Sequence, residues 1–164
     1  MTQISCKRIV LTGIAGGLLA GAVKFGWEGL FPPRTPEREE EPPPLTLLNR
    51  LNVSDKVKDY RVVYNRNFIP VAVMGIHYGF SVVNALVYAG IAEYNHSITR
   101  HRGSWFGIAI HVLFHDLLLP RLGLTPKLQD LPPQERVSEF FGHVIWANTI
   151  ELVRQSIKVP ADKR

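Results

Sequence analysis

Ionisable side chains inside long apolar segments are the candidate functional residues of this sequence. Nine of them interrupt such segments: Lys24, Glu28, His77, His111, His115, Asp116, Glu139, His143 and Glu151. A charged or titratable group is costly in an apolar medium, so it usually faces a partner or a cavity and marks a functional site. Histidine gains or loses a proton near pH ~6.5, and the charge of a neighbouring carboxylate affects that equilibrium. A group of histidines and carboxylates could therefore bind protons.

The spacing of these residues places several of them on shared helix faces. Glu139 and His143 are one helical turn apart, and Lys24 and Glu28 have the same spacing, with charges that can compensate each other. If successive helices alternate in direction, the ends that carry these residues meet on one side. The sequence therefore predicts one proton-responsive polar cluster of six residues: Lys24, Glu28, His115, Asp116, Glu139 and His143.

Histidine and carboxylate pairs one turn apart also have the geometry of metal ligands. The candidate ligands are His111, His115, Glu139 and His143. With Asp116 or Glu28 as a general base, such a centre would make the chain a membrane-embedded metalloenzyme acting on lipid. The HExxH signature is absent, however, and a polar network that only holds helices together requires no ion. We therefore predict a non-enzymatic protein without a cofactor and keep the metal centre as an alternative.

Four apolar segments have to position these residues, at about 9–31, 68–92, 104–119 and 137–153. The first, of roughly 23 residues, would extend roughly 34 Å as a helix, and a membrane core is about 30 Å thick. The sequence thus predicts an all-α fold: a polytopic four-helix transmembrane bundle in a single integral-membrane domain. Residues 32–67 would form a long periplasmic loop, with a Pro/Glu-rich tract at its start and a short interfacial helix within 45–64.

Small residues predict how the first helix packs. Gly13, Gly17 and Gly21 form two overlapping GxxxG steps, a spacing that lets another helix backbone approach closely. We expect this glycine face to mediate self-association, so that the protein would be a homo-oligomer. His77 lies within a further GxxxG step at 75–79 and is predicted to be a hydrogen-bonded packing residue.

The charge distribution favours membrane lipid as a partner and argues against nucleic acid. The formal net charge is +5, but the basic residues form no stripe with interleaved aromatic residues. Eight basic and two acidic residues flank the segments on the side of the termini, against ten basic and eight acidic residues in the two other loops. Because lysine and arginine concentrate on the cytoplasmic side, both termini are predicted to be cytoplasmic. The single cysteine, Cys6, belongs to no metal or redox motif.

Several short motifs are similar to those of one family. GLTP at 123–126, DLP at 130–132, VSEFFGHVIW at 137–146 and IELVR at 150–154 resemble the YagU family of inner-membrane proteins, as do KFGWE at 24–28 and PPRTP at 32–36. The resemblance implies a multi-pass protein of a bacterial inner membrane, associated with acid resistance and without an assigned activity or catalytic residues. Its motif positions are matched here by Lys24, Glu28, Asp130, Glu139, His143, Glu151 and Arg154, and His115 aligns with them.

The residues and the resemblance together support one main functional hypothesis. A transporter or channel is a second alternative to it, in addition to the metalloenzyme. The polar cluster would lie on the periplasmic side of the bundle, respond to protons there, and so contribute to acid resistance. The rival is a small transporter or channel. Because a chain of 164 residues could scarcely enclose a transport path alone, that rival requires an oligomer.

Overall fold

The computed structural model describes residues 5–35, 38 and 41–157. Most of these residues are helical. In chain order the elements are α1 (Cys6–Leu30), α2 (Pro43–Arg50), α3 (Asp55–Lys58), β1 (Arg61–Tyr64), β2 (Asn67–Pro70), α4 (Val71–Tyr94), α5 (104–121) and α6 (Pro133–Ser156). Short 3-10 segments, His96–Gly103 and Leu128–Asp130, precede α5 and α6. Part of the Pro/Glu-rich tract and the charges at 158–164 used in the orientation argument lie outside the described residues.

Three helical segments of the described chain are long and apolar enough to cross a membrane. They are Cys6–Leu30, Val71–Tyr94 and His96–Arg121, of 25, 24 and 26 residues. A helix of that length reaches roughly 36 Å, which exceeds the ~30 Å of a membrane core. Helix α6 is also 24 residues long, but it carries charged residues along its length and is not among these apolar segments.

The long helices pack closely because small residues lie at their crossings. A Cβ atom added to Gly17 of α1 would lie 2.5 Å from the Cα of Val82 in α4, and one added to Gly107 of α5 would collide with the carbonyl oxygen of His143 in α6. Side chains from all four helices fill the core: Ala20, Ala85, Tyr88, Phe106, Ile110, Trp146, Ala147 and Ile150. Since Gly13, Gly17 and Gly21 all face α4 within the same chain, the face expected to mediate self-association is already covered.

The prediction of an all-α fold is wrong for residues 61–70. Strands β1 and β2 form an antiparallel hairpin in which Val62 pairs with Ile69. Asn65 and Arg66 join the strands with φ angles of 48° and 65°, the left-handed pair that a tight hairpin turn requires. Within 45–64, where a short interfacial helix is predicted, the structure has two short helices, α2 and α3, followed by β1. The second long helix begins at Val71 rather than at 68.

The polar part of this loop is held by its own contacts. The Lys58 ammonium lies 2.8 Å from the Asp55 carboxylate and donates a hydrogen bond to the side-chain oxygen of Asn49, also at 2.8 Å. The contact with Lys58 lowers the pKa of Asp55 below its usual range. Arg50 at the end of α2 donates to the carbonyl oxygens of Leu122 and Gly123 and so fixes the loop against the end of α5.

Replacing Gly17 by alanine should destabilise the protein by about 1–3 kcal/mol, because the new methyl group collides with the backbone of Val82 rather than with a movable side chain. The measurement is unfolding in mixed detergent micelles with increasing SDS. Gly26→Ala is the matched control, since a Cβ at Gly26 has no atom within 4 Å. Equal stability of the two variants would contradict the close crossing of α1 and α4.

Candidate functional site

Three helices bring a set of ionisable side chains together at one end of the packed helices. Helix α1 supplies Lys24 and Glu28 from its last turns, α5 supplies three residues from its middle turns, and α6 supplies two from its first half. Because α6 runs opposite to α1 and α5, these parts of the helices lie side by side. We call the set the Glu139 cluster, comprising Lys24, Glu28, His111, His115, Asp116, Glu139 and His143.

The Glu139 carboxylate is the centre of this cluster. Its Oε2 atom lies 3.2 Å from Nζ of Lys24, 3.7 Å from Nε2 of His115 and 3.6 Å from Nδ1 of His143. The Lys24 ammonium also donates to Oε1 of Glu28. One ammonium therefore faces two carboxylates, and one of these, that of Glu139, also has two imidazoles beside it.

The His143 ring is oriented by its own helix. Its Nδ1 atom lies 2.7 Å from the backbone carbonyl oxygen of Glu139, and since that oxygen can only accept, Nδ1 carries the hydrogen. The ring is 2% exposed. This leaves Nε2 of His143 as the nitrogen that can take up a proton or bind a ligand.

A π-helical turn in α5 changes which neighbours His111 has. Residues Val112–Leu118 are π-helical, so residues five apart come onto one face, and Nε2 of His111 lies 3.7 Å from Oδ1 of Asp116. The sequence places Asp116 in the Glu139 group, whereas in the structure its ion-pair partner is His111. The three imidazole rings are in mutual contact, with centroids 5.7 Å apart for His111–His115, 5.3 Å for His111–His143 and 4.7 Å for His115–His143.

Three of the four candidate metal ligands come close enough to be considered together. His115, Glu139 and His143 each offer one ligand atom, and these atoms lie within 4.8 Å of one another. Ligand atoms around one tetrahedral zinc ion are about 3.3 Å apart, so a small inward movement would be needed. His111 is stacked on His115 but is not one of the three. The Lys24 ammonium already occupies the Glu139 oxygen that faces the imidazoles, and a cation would have to compete with it.

A second polar group lies at the other end of the helices. The Glu151 carboxylate, 0% exposed, accepts hydrogen bonds from Nε and Nη2 of Arg154 at 2.6 and 2.8 Å, from the Tyr88 hydroxyl at 2.8 Å and from Gln155 at 2.8 Å. Nearby in the fold, the buried Glu93 carboxylate at the end of α4 lies 2.5 Å from the Arg8 guanidinium of α1.

Sequence reasoning singled out Glu151 but not its partner Tyr88, nor the pair of Arg8 and Glu93. Glu93 falls one residue beyond the predicted end of the second apolar segment, so it is read there as a loop charge. Tyr88 lies in an apolar helix, and no sequence pattern there indicates that its hydroxyl has a buried carboxylate partner. A signal does exist for Arg154, which follows Glu151 by three residues on the same helix face. His77 contacts the carbonyl oxygen of Gly21 at 3.0 Å and so has the packing role expected of it.

Comparison with known proteins places the chain in a family. A family profile described as "Protein of unknown function (DUF1440)" matches residues 18–152, which include the whole Glu139 cluster. The chain belongs to the DUF1440 family. A relative, "Inner membrane protein YagU" of Escherichia coli (strain K12), is 30% identical over 169 residues, which cover 89% of this chain and 82% of the relative. No solved structure matches the chain significantly.

The predicted resemblance to the YagU family is therefore confirmed. The relative's name and the three apolar helices support an inner-membrane location for this DUF1440 protein. The family description assigns no reaction or ligand, so a functional interpretation has to be argued from the Glu139 cluster itself.

Proposed function

We propose that this DUF1440 protein is a non-enzymatic inner-membrane protein that contributes to acid resistance by binding protons at the Glu139 cluster. In this proposal α6 is the fourth span of a transmembrane bundle. Both termini are cytoplasmic, and the loop at 32–67 and the Glu139 cluster are on the periplasmic side. The observation that carries the proposal is the sharing of one carboxylate, Glu139, between the Lys24 ammonium and two imidazoles.

The charges of the cluster explain why a proton should bind there. While the histidines are neutral, the single positive charge of Lys24 faces the two negative charges of Glu28 and Glu139. An uncompensated charge is costly in an apolar surrounding. One proton taken up by His115 or His143 would balance the charge of this group, and a proton on His111 would similarly balance Asp116.

The pairing of the charges along α6 supports its crossing of the membrane. Glu135 contacts Thr35 and Arg38, Glu139 contacts Lys24, and Glu151 contacts Arg154. Charged residues inside membrane segments are usually paired with one another, because an isolated charge in hydrocarbon is costly. Helix α6 also packs along both α1 and α5, the two helices that supply the rest of the cluster.

The packing between the two polar ends favours proton sensing over proton conduction within one chain. Ala85, Phe106, Ala147 and Ile150 are among the buried side chains that fill the core there. Proton transfer requires a chain of polar groups or water, and these four side chains carry no polar group. We therefore expect proton binding to change the contacts among α1, α5 and α6 rather than to carry protons across a single chain.

Histidine-selective ¹⁵N NMR of the protein in nanodiscs tests the proposal. As the pH falls from ~7.5 to ~5.5, a range that brackets the ordinary histidine value of ~6.5, at least one ring among His115 and His143 should become protonated. In Glu139→Gln the negative charge is gone, so the protonation midpoint of that ring should fall by about one pH unit or more. The ring signals of the exposed His96 serve as an internal control and should be the same in both proteins. Rings that stay neutral throughout, or a midpoint that Glu139→Gln leaves unchanged, would refute proton binding here.

The transporter alternative is tested by proton flux into proteoliposomes under an imposed pH gradient. We expect no flux above that of empty liposomes, because hydrophobic side chains form the core cluster between the two polar ends. A flux that the wild type supports and Glu139→Gln abolishes would instead identify a transport protein that works as an oligomer.

A metal centre remains the second candidate because three ligand atoms from His115, Glu139 and His143 lie within 4.8 Å. Metal analysis after mild purification separates it from proton binding. Zinc, iron or manganese present at one ion per chain, and lost in His115→Ala, would favour the metal centre. Such a result would also mean that Lys24 leaves Glu139 when the ion binds.

A further inference from the structure

A groove of about 440 Å³ lies on the surface between the end of α1 and the start of α6. That volume falls within the ~300–1,000 Å³ of typical ligand pockets. Trp27 and Phe31 line it on the α1 side, and Val137 and Phe141 line it on the α6 side. Val137 and Phe141 are 53% and 47% exposed, so the groove is open along its length to whatever surrounds the helices.

The polarity of the groove changes along the helix axis. Arg34 and Gln134 lie at its outer end, where the chain leaves α1 and enters α6. From Gln134 to Phe141 the α6 side becomes apolar over seven residues, a distance of roughly 10 Å along a helix. A molecule that fits this gradient has a charged or polar head and a hydrocarbon chain.

Hydrogen bonds hold the two walls of the groove together. The Trp27 indole donates to the carbonyl oxygen of Ser138 at 3.0 Å, and the Ser138 hydroxyl donates to the carbonyl oxygen of Phe31 at 2.5 Å. The buried Glu135 carboxylate accepts from both the backbone N–H and the hydroxyl of Thr35, at 2.6 and 2.9 Å. The groove is therefore formed before a ligand arrives, which lowers the cost of binding.

Arg34 is the charged side chain that lines this groove. It is half-buried, and its guanidinium forms no ion pair or hydrogen bond with any residue in the described ranges 5–35, 38 and 41–157. Its neighbour Arg38, by contrast, lies 2.9 Å from the Glu135 carboxylate. A guanidinium offers a fork of donors that matches the oxygens of a phosphate group.

We infer that this groove binds an anionic phospholipid, with the phosphate on Arg34 and one acyl chain against Trp27, Phe31, Val137 and Phe141. An anionic headgroup is favoured because none of the residues that the structure describes compensates the positive charge of Arg34, whereas the carboxylate of Glu135 is already engaged. The inference rests on the part of the proposed function in which the end of α1 and the start of α6 reach the same membrane surface. It does not depend on proton binding by the Glu139 cluster.

Native mass spectrometry of the delipidated full chain, with added phosphatidylglycerol or phosphatidylethanolamine, tests this inference. The wild type should retain phosphatidylglycerol preferentially, and Arg34→Gln should weaken that binding roughly tenfold, as expected for loss of a charge-assisted hydrogen bond. Arg61→Gln, which removes a charge from the exposed hairpin, is the matched control and should bind as the wild type does. Val137→Trp, which fills the apolar part of the groove, should reduce retention of both lipids.

Three outcomes would overturn the inference: no preference between the lipids, an equal loss in Arg61→Gln, or full competition by inorganic phosphate, which would show that no acyl chain is bound. Unchanged histidine titration in Arg34→Gln shows that the variant is folded. It also separates a failure of the lipid site from a failure of the proposed function.

Discussion

Replacing Lys24 by methionine is expected to destabilise the folded protein by about 3–5 kcal/mol, because the change breaks a buried ion pair by removing one partner. The Lys24 ammonium is in contact with both Glu28 and Glu139, whose side chains are only 21% and 16% exposed. Without it, two carboxylates would remain in the same apolar site with no cation. Methionine is similar in length and apolar, so little packing is lost. Unfolding of the purified variant in mixed detergent micelles measures the loss.

A second variant shows that the loss comes from charge. Adding Glu139→Gln to Lys24→Met removes one of the two stranded carboxylates, so the double variant should be more stable than Lys24→Met alone. Lys56→Met changes an exposed lysine outside the long helices and should leave stability within about 0.5 kcal/mol of the wild type. If Lys24→Met behaves like Lys56→Met, the ammonium does not hold the cluster together, and the charge argument for proton binding fails with it.

The meeting of Lys24, Glu139 and His143 is the part of the site that the sequence predicts best. Each residue lies near the end of an apolar segment, and the direction of successive helices decides which ends are neighbours. Helical spacing then places Glu139 and His143 on one face. These arguments use only segment ends and a regular period, so they hold wherever the helix is a regular α-helix.

The contacts of Asp116 and the pairing of Glu135 illustrate what such arguments miss. The π-helical turn at Val112–Leu118 locally changes the number of residues per helical turn, and the sequence of that segment does not predict it. Glu135 lies before the predicted start of the fourth segment at 137, whereas α6 begins at Pro133 and carries Glu135 in its first turn. The sequence does not predict the hairpin at 61–70, because its turn, Asn65-Arg66, lacks the glycine that usually marks a two-residue hairpin.

The glycines of α1 show a different limit of sequence reasoning. A GxxxG step predicts a close helix crossing but does not say whether the partner belongs to the same chain. Here Gly13 and Gly17 face α4, so the pattern is accounted for without a second copy. Any self-association of the protein has to use another surface, and the homo-oligomer remains a prediction without support from this face.

Replacing Glu151 by glutamine is expected to destabilise the protein by about 3–5 kcal/mol without changing the histidine titration of the Glu139 cluster. Glu151 is fully buried and accepts two hydrogen bonds from Arg154, so the variant leaves a guanidinium that is 11% exposed without its counter-ion. Unfolding in mixed micelles measures the first effect, and histidine NMR measures the second. Leu152→Ala, on an exposed position of the same helix, controls for a general effect of changing α6.

The two ends of the helices differ in charge balance, and this difference distinguishes a polar group that stabilises the fold from one that binds protons. The carboxylates of Glu151 in α6 and Glu93 in α4 each have an arginine partner. No proton is therefore needed to balance their charge. The Glu139 cluster has one lysine for its three carboxylates, and three imidazoles that can take up a proton lie beside them. If Glu151→Gln is less stable but the histidine titration is unchanged, the polar group around Glu151 serves folding alone. A shifted titration would instead show that the two ends are coupled through α6, so that proton binding at one end changes contacts at the other.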